Sequence, residues 1–290
     1  FWTVSVVPMN MHLTADQAQR QDIAVSPDTP AARQEVSGIG LALRNTHLFG
    51  MTYNLERPRL PSPHQVAVEM WDTIALKKIT SRRSLVYHGW VTLSATLLGF
   101  AIGTGLGILL AVGIVYNRAM DMSVMPWAIA SQTIPILALA PMIIVMLGAI
   151  GVQGLLPKAV ISAYLSFFPV VVGMVKGLRS PDAMQLDLLR TYHASAAQGF
   201  WKLRLPASVP YLFASLKIGI SASLVGAIVA ELPTGARAGV GARMLGGEQY
   251  GQPMVTWAAV FAAALTAAAL VGFFSLVERW TLRRMGMQAA

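Results

Sequence analysis

The chain contains no cysteine in 290 residues. That excludes disulfides, thiolate metal sites and a cysteine nucleophile. Charge is scarce as well: 12% of residues are Asp, Glu, Lys or Arg, against about 25% in ordinary soluble domains. Acids are the scarcer sign, 13 against 22 basic residues, which leaves a net charge of +9. The basic residues are scattered and border apolar runs, as membrane insertion requires, so no nucleic-acid partner is expected. The sequence also lacks a Walker A pattern, a His-Glu-x-x-His and a Gly-x-Ser-x-Gly. Of five His, only His193 lies in the long polar segment of the C-terminal two thirds, without a metal-spaced neighbour. No catalytic residue and no metal site are therefore expected. Internal repeats and intramembrane acids, the marks of many secondary transporters, are missing too; only Glu231 comes close.

What fills the chain instead is apolar sequence: 55% of residues are hydrophobic and mean hydropathy is +0.56. Charge-free runs cover residues 89–117, 122–157, 159–175, 218–230 and 249–277. A crossing needs about 20 mostly apolar residues, so the expected class is an all-α polytopic membrane protein. Residues 1–13 are apolar but too short to cross, and read as the end of a truncated first span. Residues 14–88 form an insertion outside the membrane, in which 14–59 shows turns but no sustained period. Pro61 and Pro63 then open a helix from His64 whose apolar side (Val66, Met70, Trp71, Ile74) suits a membrane surface. Residues 89–284 make the core. Gly99, Gly103 and Gly107 lie four apart on one face and predict close helix packing. The run 122–157 is too long for one straight crossing. Its span is expected over 125–147, with Pro135 and Pro141 inside. Lys217, a turn and a half into the fifth span, is expected to snorkel to the interface. A glycine-rich stretch, 233–251, carries Arg237 and Arg243 and lacks the Lys-Ser or Lys-Thr of a phosphate loop.

The most informative stretch is the polar loop 176–210. Pro181 and Asp182 can start a helix and Pro206 can stop one; Met184, Leu188, Leu189, Tyr192 and Ala196 recur at helical spacing, which suits either one short amphipathic helix over about 181–200 or a solvated loop that merely connects two spans. The loop holds five Lys or Arg and the tail after 278 three, which places both inside. Nine basic residues in 14–88 run against that rule, from which long loops are largely exempt.

This loop resembles the cytoplasmic loop of ABC importer permeases, in the branch that imports sulfonates, taurine and nitrate. Counted back from Leu205 and Pro206, that family's Glu-Ala-Ala falls on Asp187, Leu188 and Leu189, and its Gly on His193; Ala194, Ser195, Gln198, Lys202 and Pro210 also match. Leu60 to Pro63, residues 88–98, 226–231 and 239–241 follow in the same order. The acid is shortened, both small residues are enlarged and the glycine is replaced.

The resemblance implies a type I importer bundle with about six transmembrane helices and a cytoplasmic coupling helix. It implies a bacterial inner-membrane permease, carrying no cofactor itself, with ATP and Mg on separate ATPase subunits. An extracytoplasmic solute-binding protein and a second copy of the chain would be its partners. ATPase coupling would rest on Asp187, Leu188, Leu189, His193, Ala194, Ser195, Leu205 and Pro206. The solute would be a sulfonate, taurine, nitrate or a pyrimidine- or flavin-like compound. Polar groups in lipid are costly unless they face protein or water, so Gln132, Thr133, Ser162, Ser166, Ser223 and Glu231 are the expected pathway residues. Glu231 is expected either to hold an outer gate with Arg237 or Arg243, or to be a plain interfacial acid. The competing reading is a non-transport membrane scaffold or an accessory subunit of a larger complex.

Overall fold

The structure, a computed structural model, describes residues 1–232, 236 and 238–287. Among these there is no strand. The α-helices are α1 (Trp2–Arg20), α2 (Pro30–Gln34), α3 (Gly38–Arg44), α4 (Phe49–Thr52), α5 (Pro63–Trp71), α6 (Leu85–Tyr116), α7 (Arg118–Ser131), α8 (Ile136–Ala149), α9 (Leu155–Leu178), α10 (Ala183–Thr191), α11 (Ala196–Gly199), α12 (Leu205–Glu231), α13 (Val240–Gln249) and α14 (Pro253–Arg284). Four helical stretches are long and apolar enough to cross a membrane: Leu85–Tyr116, Leu155–Leu178, Ala196–Glu231 and Pro253–Arg284. The pair α7 and α8 makes a fifth if its bend is spanned as one. The chain is thus the all-α, multi-pass protein that its charge-free runs require. Helix α1 is not among these stretches and continues past Leu13 to Arg20.

Two compact units divide the chain: Phe1–His88 with Ala242–Ala263, and Gly89–Gly241 with Ala264–Ala290. In the first, α1 presents Val7, Met11, Ala15 and Ala18 to Leu41, Ala42 and Leu48, a helical stripe of spacing three and four. Asn10, buried in that helix, is fully used: its amide donates to the carbonyls of Thr52 and Leu60 at 3.3 and 2.8 Å, and its oxygen accepts from the Leu60 amide at 3.0 Å. Gly38 is required where α3 meets α1, because a Cβ there would lie 2.1 Å from the Pro8 carbonyl oxygen. The segment expected to hold only turns is therefore a packed helical cluster, built from residues too few per helix to show a period.

The second unit is organised by α6, α9 and α12. The glycine face of α6 lies against α9, as its spacing predicts. A Cβ on Gly99 would sit 2.3 Å from Ser162 Cβ, one on Gly103 2.2 Å from Ser166 Oγ, and one on Gly107 2.9 Å from Val170 Cβ. Toward α12, α9 uses Gly173 against Ser215 and Gly177 against Ser208. Without water to expel, helices in lipid gain from this close van der Waals approach.

The third crossing departs from expectation. It is two half-helices, α7 and α8, bent by 99°, not one span over 125–147. Pro135 has no N–H to donate and restricts the residue before it, so the chain turns at Gln132–Thr133 and restarts at Ile136. Pro141, by contrast, is accommodated inside α8. Gly151 and Gly154, at φ of +82° and +78°, form the expected break before α9.

Candidate functional site

Two places gather the polar chemistry of the second unit. The first is the hairpin between α9 and α12. Instead of one helix over 181–200 there are two, α10 and α11, and the cause is local. Asp182 caps α10 in a capping box with Gln185. At the other end His193 has φ of +52°. Its amide donates to the Arg190 carbonyl and the Ala194 amide to the Leu189 carbonyl, both at 2.9 Å. This is the Schellman closure that usually carries glycine at the left-handed position. Ser195 then opens α11 with its own capping box to Gln198. The family's glycine position is thus a backbone requirement that histidine meets with strain. His193→Gly is expected to stabilise the hairpin by about 1 kcal/mol. Hydrogen exchange of residues 189–195 would slow about fivefold; unchanged or faster exchange would contradict this reading.

The hairpin stands on a braced base. Arg204 donates to the carbonyl of Leu178, the last residue of α9, at 2.7 Å, and Arg179 pairs with Asp121 at 2.8 Å. Phe200 meets Tyr116 edge-on at 6.1 Å between ring centroids. Residues Phe200–Arg204 widen into a π turn, just before Pro206, whose missing N–H and ring disfavour an ordinary turn there. Pro206 does not stop a helix: it opens α12, where a proline in the first turn costs no hydrogen bond. Above this base α10 buries no residue. Met184, Leu188 and Tyr192 are exposed by 78%, 56% and 75%, while Leu189 and Ala194 are half-buried and Asp187 forms an exposed pair with Arg190 at 3.0 Å.

The second place surrounds Glu231, the last residue of α12. It is completely buried, so it is not an interfacial acid in water. Its partner is Lys158 on α9, 3.0 Å away and 12% exposed. Arg243 belongs to the first unit, where burial lowers the proton affinity of its guanidinium and Glu69 offsets this. Arg237 lies outside the described residues. Both Glu231 oxygens also accept from Thr92 Oγ1 of α6, at 3.1 and 2.9 Å, and Oε2 accepts from the Gly241 amide at 3.0 Å. The Val240 amide donates to Thr92 Oγ1 at 2.8 Å, and Lys158 donates to the Ala238 carbonyl at 2.9 Å. The glycine-rich turn does cradle an anion at the start of α13, and the anion is the chain's own carboxylate. Gly239, at φ of +130°, makes the fit possible: a Cβ there would lie 2.0 Å from Glu231 Cδ.

The remaining expected pathway residues divide. Gln132 and Thr133 are exposed at the break between α7 and α8. Ser162, Ser166 and Ser223 are completely buried. Ser162 and Ser166 fill the contacts with Gly99 and Gly103, and Ser223 donates to the Thr96 carbonyl at 2.8 Å. At 162 and 166 a small hydroxyl residue fits the close approach of α6 and α9. Lys217 meets Glu278 of α14 at 2.7 Å, a partner that snorkelling did not foresee. Lys158 and Thr92 were missed altogether. Lys158 had a signal: it is the lone charge between two charge-free runs, and such a charge needs a counter-ion.

The family model described as "Binding-protein-dependent transport system inner membrane component" matches residues 103–287, which include the hairpin and, of the second place, Lys158, Glu231 and the turn 238–241 but not Thr92. The formylaminopyrimidine transport permease protein ThiX of Halalkalibacterium halodurans is 33% identical, over 63% of this chain and 68% of its own length. The "Probable ABC transporter permease protein" of Haemophilus influenzae is 30% identical, over 77% of this chain and 84% of its own. The riboflavin transport system permease protein RibX of Chloroflexus aurantiacus is 30% identical, over 77% of this chain and 80% of its own. With the packed spans, the braced hairpin and the match across both, the chain belongs to the family of inner membrane components of binding-protein-dependent transport systems, the permease subunits of ABC transporters.

Proposed function

We propose that the hairpin α10–α11 is the element through which a separate ATPase subunit drives this permease in a bacterial inner membrane. The observation that carries this is an exposed apolar face, Met184, Leu188 and Tyr192, held on a base tied to α6, α7 and α9. An apolar helix face with no cover in its own chain suits a groove in a partner, and a braced base transmits displacement rather than absorbing it. The chain itself binds no nucleotide in this reading; ATP and Mg stay on the ATPase. On the far side of the spans, the Glu231–Lys158–Thr92 knot holds the turn 238–241 against the ends of α9 and α12, and acts as the outer gate.

Two copies of the chain form the pathway, with Gln132 and Thr133 at the helix break on their shared surface. Irregular backbone at membrane depth is tolerated where it is covered by protein or lines a cavity. A pyrimidine- or flavin-like solute is favoured over nitrate or a sulfonate. No Lys or Arg occurs between Arg118 and Lys158 to receive an anion at that break; the relatives' names include heterocycles and anions alike.

The test is reconstitution of the complex from membranes, with Cys introduced at Gln132 of this Cys-free chain. ATP-dependent uptake together with a disulfide between two copies of the chain supports the reading. Uptake without ATP, or a complex holding a single copy, contradicts it.

A further inference from the structure

We propose that α5 and the basic segment after it form a docking surface for anionic lipid headgroups. The helix carries an apolar face that its own chain leaves uncovered. Ala67, Val68 and Trp71 of α5, with Ile74 and Ala75 of the π turn Asp72–Leu76 that continues it, are all exposed and recur at i, i+1, i+4, i+7 and i+8, a helical spacing. Val68 is 56% exposed and Trp71 67%. The inward face is mixed: Val66 and Thr73 are buried and Glu69, Met70 and Asp72 half-buried, so Val66 and Met70 do not belong to the outward apolar face on which the sequence pattern put them. Burial raises the proton affinity of the Glu69 carboxyl, with Arg243 and Lys77 pulling the other way. A helix that faces water presents a polar outer face instead.

The segment C-terminal to this helix identifies the occupant. Leu76 and Ile79 are 68% and 66% exposed, and Lys77, Lys78, Arg82 and Arg83 are exposed among them. Among the described residues none of these four is in a salt bridge. At Leu85 the chain enters α6, a helix apolar enough to cross a membrane. The surface is thus continuous in sequence with a span and ends where headgroups begin. Apolar side chains with an aromatic anchor, next to clustered cations, match an acyl boundary beneath anionic phosphates. A protein partner would not need the four cations to coincide with a span entry. The cations also gain a physical role on a side of the membrane where the orientation rule leaves them unexplained.

The test uses the full chain in lipid nanodiscs, with a nitroxide on Val68→Cys or Ala75→Cys and collision accessibility to oxygen and to a nickel chelate. Both positions are exposed, so the substitutions leave the packing intact. Oxygen is expected to dominate, and more strongly when phosphatidylglycerol is added to phosphatidylcholine. The replacement of Lys77, Lys78, Arg82 and Arg83 by Gln is expected to abolish the phosphatidylglycerol increment and to leave the oxygen signal of the apolar face. Nickel dominance would show the face in water and overturn the proposal. Shielding from both reagents would show a protein cover, a second copy or a binding protein, and would equally overturn it. An increment that survives loss of the four charges would overturn its anionic half.

Discussion

Lys158→Met is expected to cost the permease about 3–5 kcal/mol of stability, because it leaves Glu231 as an unpaired charge in a protein interior. Glu231 has no exposed surface and its geometry leaves no alternative cation nearby among the described residues: its other donors are the Thr92 hydroxyl and the Gly241 amide. Removing both charges is a different matter. A buried pair is often replaced by apolar side chains at little net cost, so Lys158→Met with Glu231→Leu is expected to recover most of the loss. Thermal unfolding of the purified protein reads both. Their transport should not track their stability. The double variant keeps its spans but loses the tie between Thr92, Lys158 and the turn 238–241, so leak or basal ATPase activity is expected to rise. Glu231→Gln, which keeps an acceptor and drops the charge, should raise it in the same direction. A single variant that melts with the parent, or a double variant that is tight and fully coupled, would contradict the gate.

Leu188→Arg is expected to separate the permease from its ATPase while leaving the spans folded. Leu188 touches little of its own chain and α10 buries none of its residues, so the substitution costs the fold little. At a docking surface the loss of one central apolar anchor costs about 2 kcal/mol, about thirtyfold in affinity, and a desolvated guanidinium adds to that. Asp187→Arg should act alike through charge. Asp187→Ala is the control for the fold, since its pair with Arg190 is exposed on both sides and such pairs contribute at most about 1 kcal/mol. The expected pattern is normal membrane level, an unchanged melting temperature and loss of both ATPase co-purification and uptake for the Arg variants. Normal uptake by Leu188→Arg would remove the hairpin from the coupling role.

Much of this was legible in the sequence, and the reasons are specific. The spans announce themselves because charge is excluded from them. The stripe Gly99–Gly103–Gly107 indicated a close helix partner because only small residues permit one. The hairpin was located by its polarity between apolar runs, but its division into two helices was not, since histidine is a rare carrier of the left-handed turn that glycine would have announced. Glu231 stood out as the acid at the end of a span. Its partner did not, because Lys158 lies 73 residues away and periodicity is blind to that distance. The serines are ambiguous for the opposite reason: a small hydroxyl in a span serves packing and pathway alike, and the packing of Ser162 and Ser166 against Gly99 and Gly103 is visible only in the structure. The part of the packed cluster beyond α1 was hidden because helices of four to seven residues are shorter than the window over which a period can be seen.

The most direct test of the coupling claim is a cross-link from Leu188→Cys, the only thiol this chain would then possess, to the ATPase subunit in the intact complex, using a short bifunctional reagent. The account predicts an adduct from position 188, and likewise from Met184→Cys and Tyr192→Cys, but none from Ala75→Cys just past α5. A complex that hydrolyses ATP and takes up solute, yet gives no adduct from any of the three α10 positions, would contradict it.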